Sequence, residues 1–397
     1  MKPHLVILCG ILYPNPSATG LCAFRYGSLL AGIYDIEYVA LSDNGSSEKA
    51  MYEGYVVHTL SSKRLALEHQ TKGMASKAIH LFGSAQLKLF LQGNLRWYRK
   101  AAYRKLEEIH ADRKIDAILT VCSPFPAHQA GVDFKQAHPD VRFCAYTVDP
   151  FAASDRIIPF FRKFDDLVKQ EREVSSKADC LLLSEEALNT RNDIYGAIET
   201  KVALPYLLPQ SVTAEGGLFD KEHIHCVYAG SFYKDIRNPE YMLKVFSALT
   251  DKKIVLHLYS AGCAEIVNSY GMCKNILSNG YVSQEELKRV YASCDILIGV
   301  GNKLNDFLPS KTYEYLSWRK PIVSFNPKGY PNSVLAMYPY ALQITDDIPV
   351  AEAAEQLDAF VKAQRGKTIC EEELKSIYRT NTAENIRDIL LKALKSS

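Results

Sequence analysis

Short apolar runs alternate along the chain with longer stretches whose apolar positions recur every three to four residues. That alternation predicts a parallel sheet with crossover helices. In the first half the predicted strands are 5–9, 36–41, 117–122, 143–148 and 180–184. In the second half they are 225–229, 254–259, 296–300 and 322–325. Several of these runs are apolar at consecutive positions, so both faces are expected to be covered by helices. The chain closes with an amphipathic stretch over 371–395, carrying Ile377, Ile386, Ile389, Leu390 and Leu394.

At 397 residues the chain exceeds the usual size of one core, and two α/β domains are expected. Pro205, Pro209, Gly216 and Gly217 make the segment between the halves the best linker candidate. The expected division is 1–205 and 206–380, with 381–397 crossing back to the first domain.

Composition narrows the class only a little. With 47% hydrophobic and 23% charged residues, disorder and fibrous folds fit poorly. A formal charge of +2 gives no basis for a nucleic-acid partner. The ten cysteines are scattered, with no C-x-x-C and no compact Cys/His cluster at zinc-ligand spacing. Such usage suits a reducing cytoplasm. The short apolar run at 5–10 reads as a first strand rather than a signal peptide, and no run approaches the ~20 apolar residues of a membrane span.

Between Lys63 and Lys105 ten Lys/Arg accompany one acid, Glu68, with Leu81, Phe82, Phe90, Trp97 and Tyr98 interleaved. A basic amphipathic helix of this kind suits an anionic membrane surface at the inner face. Basic surface helices being common, it also suits a solvated helix that packs its apolar side on the first domain.

Three loops could carry chemistry. The first is Tyr13–Gly20 after strand one, ending in Thr19 and Gly20 before a helical pattern from about Leu21, whose N-terminal N–H groups could face an anion. It matches neither a G-x-G-x-x-G fingerprint nor a phosphate loop. The second follows the strand ending at Gly230, where Ser231, Lys234 and Arg237 precede a helix starting near Pro239. Two cations at a strand's carboxyl end suit a diphosphate, although both could be solvated loop charges. The third is Pro309-Ser310-Lys311-Thr312-Tyr313-Glu314-Tyr315, followed by Lys320-Pro321-Ile322-Val323. Ser310 and Lys311 at a helix start suit phosphate oxygens, and Glu314 one turn later suits two ribose hydroxyls. Read more plainly, Ser310 is an N-cap and Glu314 a surface acid.

These residues resemble the donor domain of GT-B glycosyltransferases, especially the large retaining family 4-like group of bacterial polysaccharide enzymes. Tyr228-Ala229-Gly230 with Lys234 and Arg237 resembles its Gly-ended strand with downstream basic residues. Gly280-Tyr281-Val282 with Leu287 resembles its Gly-x-Val-x-x-x-x-Leu element, and Pro-Ser-Lys-x-x-Glu-Tyr at 309–315 is nearly intact. The resemblance implies two Rossmann-like domains facing across a cleft. It places Val282 beside a nucleobase, Ser310 and Lys311 on phosphates, and Glu314 on a ribose. Asp306 stands where the family often has a glutamate for the transferred sugar, and Ser231 where it often has arginine. The N-terminal half resembles the family more loosely, with His128 and Asp149 as sugar, acceptor or general-base candidates.

The expected activity is transfer of a sugar from a nucleoside diphosphate (UDP slightly favoured over GDP) to a hydroxyl of a saccharide or lipid-linked saccharide, in cell-surface polysaccharide or glycolipid synthesis. By resemblance the anomeric configuration is retained; no Asp-x-Asp occurs, and no metal or separate cofactor is called for. A sugar-nucleotide epimerase of the same architecture, or a subunit that has lost catalysis, are the competing readings.

Overall fold

The computed structural model describes residues 2–14, 16–61, 96–122, 124–147, 151–153, 164–183, 200–202, 206–208, 217–302 and 310–395. They form two compact units, Met1–Leu204 with Glu384–Ser397, and Pro205–Ala383.

The first unit holds an eight-stranded sheet. Its strands are β1 (His4–Ile11), β2 (Asp35–Leu41), β3 (Lys49–Tyr52), β4 (Tyr55–Leu60), β5 (Ala117–Cys122), β6 (Arg142–Thr147), β7 (Cys180–Leu183) and β8 (Thr200–Val202). They lie in the order β3-β4-β2-β1-β5-β6-β7-β8. Every neighbouring pair is parallel except the β3–β4 hairpin. Strand β1 is buried from His4 to Gly10 and β5 throughout, which is why both read as unbroken apolar runs. Helices α1 (Ala18–Leu30), α2 (Arg96–Asp112), α3 (Pro126–Ala137) and α4 (Phe164–Lys177) accompany the sheet.

Helix α2 decides what the end of the basic stretch does. Tyr98, Ala102, Leu106 and Ile109 recur at helical spacing and are buried against Val6, Leu8, Val39 and Ile118. The Tyr98 hydroxyl donates to Cys9 O at 3.1 Å, and Trp97 packs on the same cluster. Arg99 grips Asp133 of α3 through Nε and Nη2 at 2.7 and 2.6 Å. Trp97 and Tyr98 therefore serve the protein's own core rather than a membrane surface. Residues 62–95, the rest of that stretch, lie outside the described residues. Among the described residues no helix is long and apolar enough to cross a membrane.

The second unit holds six parallel strands in the order β11-β10-β9-β12-β13-β14. These are β9 (Ile224–Ser231), β10 (Ile254–Ala261), β11 (Ile276–Ser278), β12 (Ile296–Val300), β13 (Ile322–Asn326) and β14 (Ala341–Thr345). Helices α5 (Glu240–Ala248), α6 (Ala264–Ser269), α7 (Gln284–Ser293), α8 (Ser310–Ser317), α9 (Val350–Gln364) and α10 (Glu371–Ile377) surround them. Alternation along β9 feeds two cores. Cys226 and Tyr228 pack with Met242, Phe246 and Leu357, whereas Val227 and Ala229 pack with Leu287, Tyr315 and Leu316.

One expectation changes. Tyr206 and Leu207, expected in a linker, are buried. Leu207 N donates to Asn381 O at 2.8 Å and Leu208 N to Ser317 Oγ at 2.7 Å. Residues 203–205 and 209–216 lie outside the described residues. The amphipathic stretch over 371–395 divides into α10, a short 3-10 turn (Arg379–Asn381) and α11 (Ala383–Leu394). Leu374 and Tyr378 belong to the core of the second unit. Ile386, Leu390, Ala393 and Leu394 of α11 are also buried, and Arg142 Nε of the first unit donates to Ala393 O at 2.9 Å. One straight helix cannot serve both cores, so the chain turns between them.

Candidate active site

Strand order reverses beside β1 in the first sheet and beside β9 in the second. Ligands of open parallel sheets lie outside the carboxyl ends of the strands at such reversals.

In the first unit the loop after β1 is fastened tightly. Ser17 N and Oγ both donate to Ile11 O, at 2.9 and 3.1 Å, and Ser17 Oγ accepts from Gly20 N at 3.2 Å, capping α1. Thr19 Oγ1 lies 3.3 Å from Ser17 Oγ. A β-carbon on Gly20 would sit 1.9 Å from Ile11 O, so the first turn of α1 reaches the strand only with glycine there. Thr19 and Gly20 thus stand at the carboxyl end of β1.

His128 lies in the first turn of α3, yet its ring is 1% exposed. Its Nδ1 is 2.6 Å from Thr120 Oγ1 and its Nε2 is 3.4 Å from Thr147 Oγ1. Burial pushes its pKa down to about 3, so the imidazole is neutral and ties β5 to β6. It is placed inside the unit, not on its surface. Asp149 lies outside the described residues. The turn that follows it is held by Glu171 of α4, which is 2% exposed and accepts from Phe151 N and Ala152 N at 2.9 and 2.8 Å.

In the second unit β9 ends at Gly230, whose φ of +148° suits glycine, and Ser231. The loop beyond closes on itself: Arg237 N donates to Tyr233 O at 2.8 Å, and Tyr233 N to Arg237 O at 3.1 Å. This turns Arg237 back over the strand ends, where its Nε donates to Asn302 Oδ1 at 3.0 Å. Lys234 stays exposed on the loop.

Helix α8 approaches the same strand ends. The Tyr315 hydroxyl accepts from Ala229 N at 3.1 Å and donates to Ala229 O at 3.3 Å, docking the helix on β9. Lys311 Nζ donates to Glu314 Oε1 at 3.0 Å and lies 5.5 Å from the centre of the Tyr291 ring. Asn332 Nδ2 donates to Thr312 Oγ1 at 2.9 Å. Arg237, Lys311, Thr312, Tyr228, Ser324 and Asn332 line one cavity of about 30 Å³. A larger one, about 260 Å³, shares Val300 and Gly301 with it and is lined by Asn238, Tyr241, Asn326 and Asp346. The N-terminus of α8 adds positive potential to this end of the sheet.

No protein-family model and no curated protein sequence matches the chain. Solved structures do. Sucrose-phosphate synthase from Thermosynechococcus elongatus superposes with a TM-score of 0.67 at 12% identity, covering 98% of each chain. A glycosyltransferase from Rickettsia africae gives 0.63 at 10% identity over all of both chains. The lipopolysaccharide outer core galactosyltransferase WaaB gives 0.56 at 11% identity over 99% of each. The fold is GT-B.

Within this GT-B chain the structure brings Arg237 and Lys311 into one cavity, with Glu314 paired to Lys311. Gly230 and Ser231 end the strand beneath them. Val282 follows Gly280, which has φ of +70°, and packs partly inward beside the cap Ser283, which accepts from Glu286 N at 3.1 Å. It is not among the residues lining the Arg237–Lys311 cavity. Asp306 lies outside the described residues, as does the side chain of Ser310. The sequence reading passed over Thr312, Asn332 and Asn302. Thr312 follows Lys311 directly and could have been found from that spacing; the two asparagines arrive from distant loops and carry no local signal.

Proposed function

We propose that this GT-B chain is a glycosyltransferase that binds a nucleoside diphosphate sugar through its second unit and transfers the sugar to a hydroxyl acceptor. One observation carries the reading: Arg237, Lys311 and the start of α8 meet at the carboxyl ends of β9 and β12, where the strand order reverses. Two cations and a helix N-terminus there match the charge of a diphosphate. Glu314, one turn on, is an acceptor-only group suited to ribose hydroxyls. As the bond from the anomeric carbon to the diphosphate breaks, the leaving group gains negative charge, and Arg237, Lys311 and the helix dipole supply positive potential to meet it. Lys234 on the exposed loop adds to the same field.

With those charges fixed by the chain, the donor site in this reading needs no divalent ion. Retention of configuration, a UDP donor and a saccharide or lipid-linked saccharide acceptor in cell-surface polysaccharide or glycolipid synthesis complete the proposal. Asp149 and Asp306 are assigned to the sugar and acceptor side, and His128 to holding β5 to β6 beneath it.

The test is calorimetric titration of the chain with UDP, GDP, ADP and CMP, beside Lys311→Ala and Glu314→Ala. One diphosphate should bind, and Lys311→Ala should weaken it about tenfold or more, the scale of a hydrogen bond to a charged group. Glu314→Ala should weaken the nucleotide but not inorganic pyrophosphate. If none of the nucleotides binds, the chain is a subunit without a donor site. A sugar nucleotide converted to its isomer rather than transferred or hydrolysed would make it an epimerase.

A further inference from the structure

At the opposite end of β9 from the donor cavity, three side chains converge that the proposed chemistry does not use. Asp220, His223 and His225 present ligand atoms that all lie within 4.8 Å of one another. Two of the contacts are closer: His223 Nδ1 is 2.9 Å from Asp220 Oδ1, and His225 Nε2 is 3.6 Å from Asp220 Oδ2.

The cluster is built rather than incidental. Asp220 Oδ1 accepts from Glu222 N and His223 N at 2.8 and 2.9 Å, which curls the loop around its own carboxylate. Arg365, at the end of α9, donates through Nη2 to Lys221 O and His223 O at 2.8 and 2.7 Å and clamps that loop from outside. His225 opens β9 and is only 5% exposed. The Phe219 ring stacks on it at 4.5 Å and 13°.

His225 supplies an independent sign of a missing ligand. Its Nδ1 is 2.9 Å from His257 Nε2 on the neighbouring strand β10, so that side of the ring is taken. Its Nε2 is buried without a hydrogen-bond partner and faces the Asp220 carboxylate. When His225 donates from Nδ1 to His257, a lone pair on Nε2 faces a carboxylate oxygen, and a cation between them completes the arrangement. A ring nitrogen oriented by a partner on its other nitrogen is the usual support of a metal-bound histidine.

We propose that Asp220, His223 and His225 bind a first-row divalent cation of the Zn²⁺ type. Bonds of about 2.0–2.1 Å in a tetrahedron place ligand atoms roughly 3.3 Å apart, inside the 4.8 Å within which the three ligand atoms lie. Two imidazoles and one carboxylate favour zinc-like ions over Mg²⁺ or Ca²⁺, which prefer all-oxygen shells. Three protein ligands leave a fourth position for water. The eight-residue strand puts this site roughly 20 Å from the donor cavity. The ion therefore fastens the loop before β9 to the sheet and takes no part in sugar transfer.

The experiment is titration of the untagged chain, stripped with chelator, with Zn²⁺ and separately with Mg²⁺. It is read by calorimetry, by thermal unfolding, and by the visible spectrum of the Co²⁺ form. His223→Ala and Asp220→Asn, at a half-buried and an exposed loop position, are compared with the parent. One equivalent of Zn²⁺ should bind and raise the unfolding temperature, Mg²⁺ should do neither, and each variant should lose at least about tenfold in Zn²⁺ affinity. Co²⁺ should show nitrogen–oxygen tetrahedral bands without thiolate charge transfer, which separates this site from the cysteines. The proposal is overturned by no Zn²⁺ binding, by equal affinity in parent and variants, or by a thiolate band. Diphosphate binding should be the same in all three proteins, so failure here leaves the donor reading untouched.

Discussion

His128 and Gly20 show how single residues in the first unit are fixed by their surroundings. His128 carries a pKa of about 3 in the folded chain because burial disfavours its charged form. The unfolded chain, with an ordinary histidine near 6.5, takes up the proton first. Stability is therefore complete above pH 6.5 and declines as pH falls towards 3, by up to about 1.4 kcal/mol per pH unit. Urea unfolding from pH 8 to 4 should show a steeper decline for the parent than for His128→Gln, and equal slopes would remove this residue from the acid response. At Gly20 the restraint is steric. Adding one methyl group meets a backbone oxygen at 1.9 Å, so α1 must retreat from β1. Gly20→Ala should lower stability by about 1–3 kcal/mol, the range of overpacking, seen as an earlier urea midpoint at unchanged slope.

At the scale of elements, the donor cavity depends on how α8 is docked. Tyr315 reaches across to both backbone groups of Ala229, and its ring lies 5.6 Å from that of Tyr291. Tyr315→Phe keeps the ring but leaves Ala229 N, inside a buried strand, without its partner. The loss expected is about 1–3 kcal/mol in stability. Nucleotide affinity should weaken too, because Lys311 and Thr312 ride on the same helix. Unchanged affinity alongside reduced stability would separate the helix's docking from the cavity. The strands flanking this cavity were legible because β9, β12 and β13 are buried over most of their length and leave continuous apolar runs. Edge strands left no such mark: β3 alternates between exposed and half-buried, β11 has one buried residue, and β14 is buried only at Ile344. The Pro-Ser-Lys-x-x-Glu-Tyr run was legible for a related reason, since a helix start and one turn of the same face lie within seven residues. Asn302, Asn332 and the Asp220–His223–His225 cluster were not. The first two come from separate loops, and the third stands in the sequence as a His-x-His pair whose convergence with Asp220 only the fold of the loop makes.

For the whole molecule, the path of the chain sets which part can stand alone. The second unit is one continuous segment, Pro205–Ala383, and its two ends meet where Leu207 N donates to Asn381 O. Its two hydrophobic clusters are completed by its own residues, from Leu207 at one end to Tyr378 at the other. The first unit needs two segments, because α11 returns to it after the whole of the second has been made. Ile386, Leu390 and Leu394 are nearly inaccessible there, and Arg142 Nε and Cys144 Sγ both donate to Ala393 O. Exposing three such side chains costs roughly 1.5–3 kcal/mol apiece, comparable with the whole stability of an ordinary domain. A chain of residues 205–383 should therefore unfold cooperatively and bind the same diphosphate as the full protein, since Arg237, Lys311 and Glu314 are all within it. A chain ending at residue 383 should keep that binding while strand β6 loses amide-exchange protection, because α11 no longer contacts it. Loss of protection in β9 and β12 instead would mean that the second unit leans on the first for its stability, and that the donor site cannot be studied apart from it.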